Sequence, residues 1–310
     1  MFRRRVHPWA PTAALLVLGS ACSSDKVDSP TTGAITKWVV TSLTLPQAAD
    51  DARLDLNGDG TPDNQLGNLF RAFAAQNIDA QVALTAALDS GTLVQLLSFQ
   101  SDDPNLTTDA SARAIWYVGQ PTAGGFGGPH AVSGATPGAA FTGALAGASY
   151  SSENPVTTHT PVAGVIELRL FPTTALVALP LNGMHVQWSF TGTSQIVAGQ
   201  INGSIRKTDV DNILIPALAD AFNAVISADT SSILAQQLDG LFDTGGCGAA
   251  VAGDYHIDLC EVSTNAIISS LLAPDVQIYN ASGGYAPNPA NTTRDAVSFG
   301  VSFTAVPTTF

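Results

Sequence analysis

Nine residues near the amino end place an oxygen donor at every second position. In Asp55-Leu56-Asn57-Gly58-Asp59-Gly60-Thr61-Pro62-Asp63, the side chains of Asp55, Asn57, Asp59 and Asp63 alternate with spacers, and the Thr61 carbonyl completes the series. Ca²⁺ takes about six to eight hard oxygen ligands, and a loop that curls round an ion turns alternate residues inward. Gly60 allows the sharp turn that brings Asp63 round. The chemistry expected is structural calcium binding, with Asp55, Asn57, Asp59, Thr61 and Asp63 as the metal ligands. The competing reading is a solvated Asp/Gly turn ahead of a helix, with Asp63 or Asn64 as N-cap.

Other chemistry is sparse. Asp254, Asp258 and Glu261 make a second, degenerate acidic trace, but Ala250 and Ala252 stand where its first ligands belong and Tyr255 replaces the turn glycine. A disulfide-stapled start to a helix is the preferred reading there. Asp209 and Asp211 read as first-turn acids facing a helix dipole. No G-x-S-x-G elbow, H-E-x-x-H pair or phosphate-binding G-x-x-x-x-G-K-[ST] loop occurs. His130, His159, His185 and His256 are isolated in sequence, so any triad must be assembled in space. Glu153 and Glu167 could form a glycosidase pair, but only the scarcity of Glu points to them.

The series at 55–63 resembles the DxNxDGxxD loop shared by EF-hands, dockerins and thrombospondin type 3 repeats. It departs at the twelfth position, where an EF-hand supplies a bidentate Glu and this chain has Leu66. The missing carboxylate must come from elsewhere or from water. Three acidic ligands in an exported loop imply weak affinity, on the order of 10⁻⁴–10⁻³ M.

A second resemblance lies at the amino terminus. Arg3, Arg4 and Arg5 precede a short apolar run, Ala10 to Leu18, far below the ~20 residues needed to span a bilayer. The run closes on Leu18-Gly19-Ser20-Ala21-Cys22, which resembles the lipobox of bacterial lipoproteins. That resemblance implies cleavage before Cys22 and lipidation of Cys22, hence membrane attachment through acyl chains. Ser23 and Ser24 follow with no Asp, which by the enteric sorting rule implies the outer membrane more than the inner. With Cys22 given to lipid, Cys247 and Cys260 are left as an even pair in an exported chain, where a disulfide persists.

The composition sets the frame for these sites. The chain has 310 residues, 45% hydrophobic and 12% charged, about half the usual charged share. Its formal charge of −13 argues against a phosphate-backbone partner, which wants clustered Lys and Arg, so no nucleic acid is expected. The acids are 22 Asp against 3 Glu, which favours turns and loops over helices.

The elements that must carry the sites follow from patterning. Residues 1–21 are the leader and 22–34 a polar tether. Residues 35–310 form one domain: α+β, with an antiparallel, β-sandwich-like core and a few packed helices. Strands are expected at 37–45, 92–100, 112–118, 140–146, 165–171, 175–179, 184–190, 195–205 and 295–306. Helices are expected after the calcium loop (50–66), from Asp79 to Gly91, in an insertion at 208–242 that Pro216 kinks, and at 266–272. A disulfide-stapled loop spans 247–260. The function expected is binding or scaffolding at the cell envelope, with an envelope protein or glycan as partner. An envelope hydrolase acting on glycan or peptide, and a carrier of apolar ligands, are the alternatives.

Overall fold

The computed structural model describes residues 33–134, 138–171, 174–248, 250–290 and 293–310. The leader and Cys22 lie outside the described residues. Nine strands run β1 (Ala34–Thr44), β2 (Gln95–Ser101), β3 (Thr108–Val118), β4 (Ala139–Ala146), β5 (Ser149–Ser152), β6 (Ala163–Leu168), β7 (Val177–Thr191), β8 (Gln195–Arg206) and β9 (Ala296–Pro307). All pairings are antiparallel, in the order β5-β4-β3-β2-β1-β9-β8-β7-β6. β5 also pairs with β7, Tyr150 opposite Trp188, so eight strands close into a barrel and β6 is left outside the ring.

The expected α+β class with an antiparallel core therefore holds, but the sandwich does not: the sheet closes on itself. The physical reason is the length of β7. Its first residues pair with β6 (Val177 to Leu168, Asn182 to Ala163), and its last pair with β5. Two separate strands were expected over this stretch. Gly183, at φ 60°, makes the irregularity that lets one continuous strand bend from one partner to the other. The first strand begins at Ala34, three residues ahead of the expected 37.

The barrel interior is filled by rings from opposite walls. Trp38 of β1 meets Phe190 of β7, Phe99 of β2 meets Tyr150 of β5, and Trp116 of β3 meets Phe303 of β9, with ring centroids 5.6, 5.0 and 5.3 Å apart. Trp116 Nε1 donates to buried Gln95 at 2.8 Å, so this indole satisfies its polar atom inside the core.

The helices are α1 (Gln65–Ala75), α2 (Ala80–Asp89) and α3 (Pro155–Thr158), then a long run α4 (Lys207–Ala228), α5 (Ile233–Phe242), α6 (Leu259–Thr264) and α7 (Ala266–Leu271). Leu66, Leu69, Phe70 and Phe73 face inward from α1, and Phe70 lies edge-on to Phe299 of β9. Phe222 of α4 gathers Phe73, Phe171 and Phe242 around it. The α4 run is long and apolar enough to cross a membrane, but Val210, Leu214, Leu218, Ala221 and Phe222 are buried in the core. Upstream of Pro216, residues Val210–Leu214 widen into a π-helical turn, the local answer to a proline ring pressed against the preceding turn.

Candidate metal centre and its surroundings

The loop that joins β1 to α1 is a closed curl. Leu54 and Asp63 bridge its ends, with Asp63 N donating to Leu54 O at 2.8 Å. Inside it, Asp55 accepts from the backbone N–H groups of Gly58 (2.6 Å), Asp59 (3.2 Å) and Gly60 (2.8 Å). Asn57 is fully buried; its amide donates to Asp59 Oδ2 and its Oδ1 accepts from Asp59 N at 2.9 Å. Gly58 and Gly60, at φ 82° and 84°, supply the left-handed turns that this requires. Asp59 accepts from Thr61 N and lies 3.7 Å from the Arg294 guanidinium.

Charge in the loop is unevenly held. Burial pushes the Asp63 carboxyl up to about 7, and the Asp275, Asp59 and Asp55 carboxylates add to the rise against one N–H from Leu56. Asp59 is also raised by burial, but its hydrogen bonds from Thr61 and Asn57 and the Arg294 charge outweigh that and hold it below the ordinary value. Asp275, pushed up mainly by burial, approaches from the chain before β9; Ser298 N and Oγ both donate to it, and Ser298 Oγ accepts from Gln65 N at 2.7 Å. Asp63 is thus half-buried beside like charges, an arrangement that a divalent cation relieves.

The donor chemistry fits calcium: carboxylate, carboxamide and carbonyl oxygens without nitrogen or sulfur. Among the described residues no three His, Cys, Asp or Glu side chains are gathered as a metal-holding group, because Asp55 and Asp59 are turned onto the loop's own N–H groups. Asn64 follows as the N-cap of α1, accepting from Gly67 N at 3.0 Å. Its amide also donates to the carbonyls of Asp51, Ala52 and Gly300, which clamps the loop to the barrel wall.

The other expected sites resolve differently. Cys247 and Cys260 are bonded, with Cα atoms 6.0 Å apart. The acidic trace beside them forms a helix start: Asp258 caps α6, and buried Glu261 accepts from Asp258 N (2.8 Å) and Gly245 N (2.5 Å). Asp254 accepts from His256 N. Glu167 is half-buried, and burial raises its carboxyl.

One contact lay beyond sequence reasoning. On the outer wall, Ser151 Oγ of β5 lies 3.3 Å from His185 Nε2 of β7. Thirty-four positions separate them, so only the β5–β7 closure reveals the pair.

Comparison with family models, with curated proteins and with solved structures finds no match to this chain.

Proposed function

We propose that this is a lipid-anchored envelope protein whose loop at 50–66 takes up Ca²⁺ structurally, in the service of a binding or scaffolding role. The observation that supports the metal is the closed curl that carries Asp55, Asn57, Asp59 and Asp63 at alternate positions, with Asp63 half-buried beside like charges; Asp55 and Asp59, which accept from the loop's own N–H groups, would turn to the ion. Asp55, Asn57, Asp59 and Asp63 would turn side-chain oxygens to the ion and Thr61 its carbonyl. The anchor rests on the lipobox resemblance and Cys22. The carrier alternative loses support from the ring-filled barrel interior.

Calcium binding to the folded chain stabilises it by mass action. At a Kd on the order of 10⁻³ M, 10 mM Ca²⁺ adds about 1.4 kcal/mol, a rise of roughly 3–5 °C in the melting midpoint. Melts of the full chain after EDTA treatment, with and without 10 mM Ca²⁺, test this. The rise is expected in the wild type and absent from Asp59→Ala; an unchanged wild-type midpoint counts against the metal.

A further inference from the structure

The outer wall where β5, β7 and β8 meet carries chemistry that the calcium loop does not use. Ser149 and Ser151 of β5, Gln187 and Ser189 of β7 and Ala198 of β8 line an open depression of about 270 Å³. Ser151 is exposed and its hydroxyl faces His185 Nε2 at 3.3 Å. His185 is 5% exposed, and its Nδ1 is buried without a hydrogen-bond partner.

The register supplies a third member. His185 of β7 stands directly opposite Asn202 of β8, which is 1% exposed. Paired cross-strand positions place Cβ atoms about 4.5–5.5 Å apart. Asn202 Nδ2 is anchored on the Ala52 carbonyl at 2.7 Å, while its Oδ1 is buried without a partner. Two orphaned atoms on facing residues, one able to donate and the other to accept, are complementary. A hydrogen bond between them would keep the proton on Nδ1 and leave Nε2 free to accept from Ser151.

We propose that Ser151 is a nucleophile, His185 its general base and Asn202 the residue that orients the imidazole, at a site that cleaves carboxylic esters of uncharged, polar alcohols. The substrate class follows from the polar lining, the Ser149, Ser151 and Ser189 hydroxyls and the Gln187 carboxamide over the buried Tyr150 and Trp188, in a depression too open to enclose a long acyl chain. Ser151 Oγ adds to the ester carbonyl and its proton passes to His185 Nε2. The tetrahedral adduct collapses, the carbon–oxygen bond to the alcohol breaks, and the alcohol leaves with that proton. Water then adds to the acyl-serine, giving up a proton to Nε2, and the acid departs as Ser151 is reprotonated.

Gln187, the register partner of Ser151, stands beside it and spends one amide N–H on Gln200 Oε1 at 2.8 Å. Its second N–H is the donor for the developing oxyanion. Burial holds the His185 imidazole below its ordinary value, and the Ser152 backbone opposes this only in part. With no carboxylate behind the ring, acylation is expected to be slow.

The test is labelling of the full chain with an alkyl fluorophosphonate, in which the serine oxygen displaces fluoride at phosphorus, followed by mass mapping. The expected result is one adduct per chain, on Ser151, lost in Ser151→Ala and formed about 100-fold more slowly in His185→Gln. Melting midpoints near wild type establish that these variants fold; Ser151 is exposed, so its alanine variant keeps the test valid even if the buried His185 variant does not fold. No adduct, an adduct elsewhere, or an undiminished rate in Ser151→Ala overturns the proposal. Asn202→Asp would set a carboxylate against Nδ1 and move the acid limb of the labelling rate to higher pH; an unmoved limb removes Asn202 from the site.

Discussion

Ala52 holds a left-handed backbone, φ 46°, that alanine does not favour, and two buried amides keep it there. Asn64 Nδ2 and Asn202 Nδ2 both donate to its carbonyl, at 3.1 and 2.7 Å. Asn64 further bridges Asp51, Gly67 and Gly300, so its loss would leave several buried backbone groups unpaired. Each such group costs roughly 1–3 kcal/mol; Asn64→Ala is expected to lose about 3 kcal/mol, read as a lower urea midpoint at unchanged slope. Asp103 offers a pH-dependent counterpart. Hydrogen bonds from the Thr107 hydroxyl and from the N–H groups of Asn105, Thr107 and Thr108 hold its carboxyl well below the ordinary 3.8. A depressed folded-state value means that the stabilisation is complete above that ordinary value and is lost as pH falls through the folded one. Asp103→Asn should therefore lower the urea midpoint at pH 7, with the gap from wild type closing below pH ~4; a gap that persists in acid contradicts the charge-based account. Asn64 was legible as one of two candidate caps, because capping is a local property. Asn202 was not, because its partner lies 150 positions away.

Elements with strong local patterning were legible in the same sense. Asp79 caps α2 as its type predicts, accepting from Gln81 N at 2.9 Å, and the stripe of α1 is the buried one. In the 208–242 insertion the second helix starts at Ser232, which accepts from Ala235 N, while Asp229 accepts from Ser231 N. The one strand without a sequence signal is β5, four residues reading Ser-Tyr-Ser-Ser, and it is the strand that closes the barrel. Its stability comes from pairing on both sides and from Tyr150 packing against Trp188 and Phe99, none of which is local. The disulfide is an element-scale restraint of another kind. It ties the loop after α5 to the first turn of α6, across 13 positions, beside the Glu261 capping box. In the chain-entropy description a closed loop of this length contributes about 3 kcal/mol. The Cys247→Ser/Cys260→Ser double variant should lose about that much, with its urea midpoint matching the reduced wild type; a double variant as stable as the oxidised protein would show the bond to be energetically idle.

At the scale of the molecule the barrel has two unlike mouths. The short turns β2–β3, β4–β5 and β7–β8 lie at one, together with Ala34, where β1 begins opposite Ser101. The Asp55–Asp63 loop and the helices of the described residues lie in the long connections at the other, which β1 reaches at Thr44 and β9 leaves at Ala296. A rise of ~3.3 Å per residue separates the ends of β1 by roughly 33 Å, so the Asp55–Asp63 loop lies a strand length from Ala34. The mouths should also differ in how they open. β8 and β9 are hydrogen-bonded to neighbours on both sides in a ring without an edge, so their amides exchange only when the whole barrel opens. The amides of Gly58, Asp59, Gly60 and Thr61 are held by the side chains of the loop itself and can be released without disturbing a strand. Hydrogen exchange of the full chain in Ca²⁺ and in EDTA separates the two cases. Chelation is expected to accelerate exchange at 55–63 by the factor that the metal contributes locally, while mid-strand β8 and β9 amides change only as far as the global free energy does. If the loop exchanged identically with and without Ca²⁺ while the strands kept their protection, the cation would have no hold on the loop, and the Asp/Gly curl would be a turn that serves only to start α1.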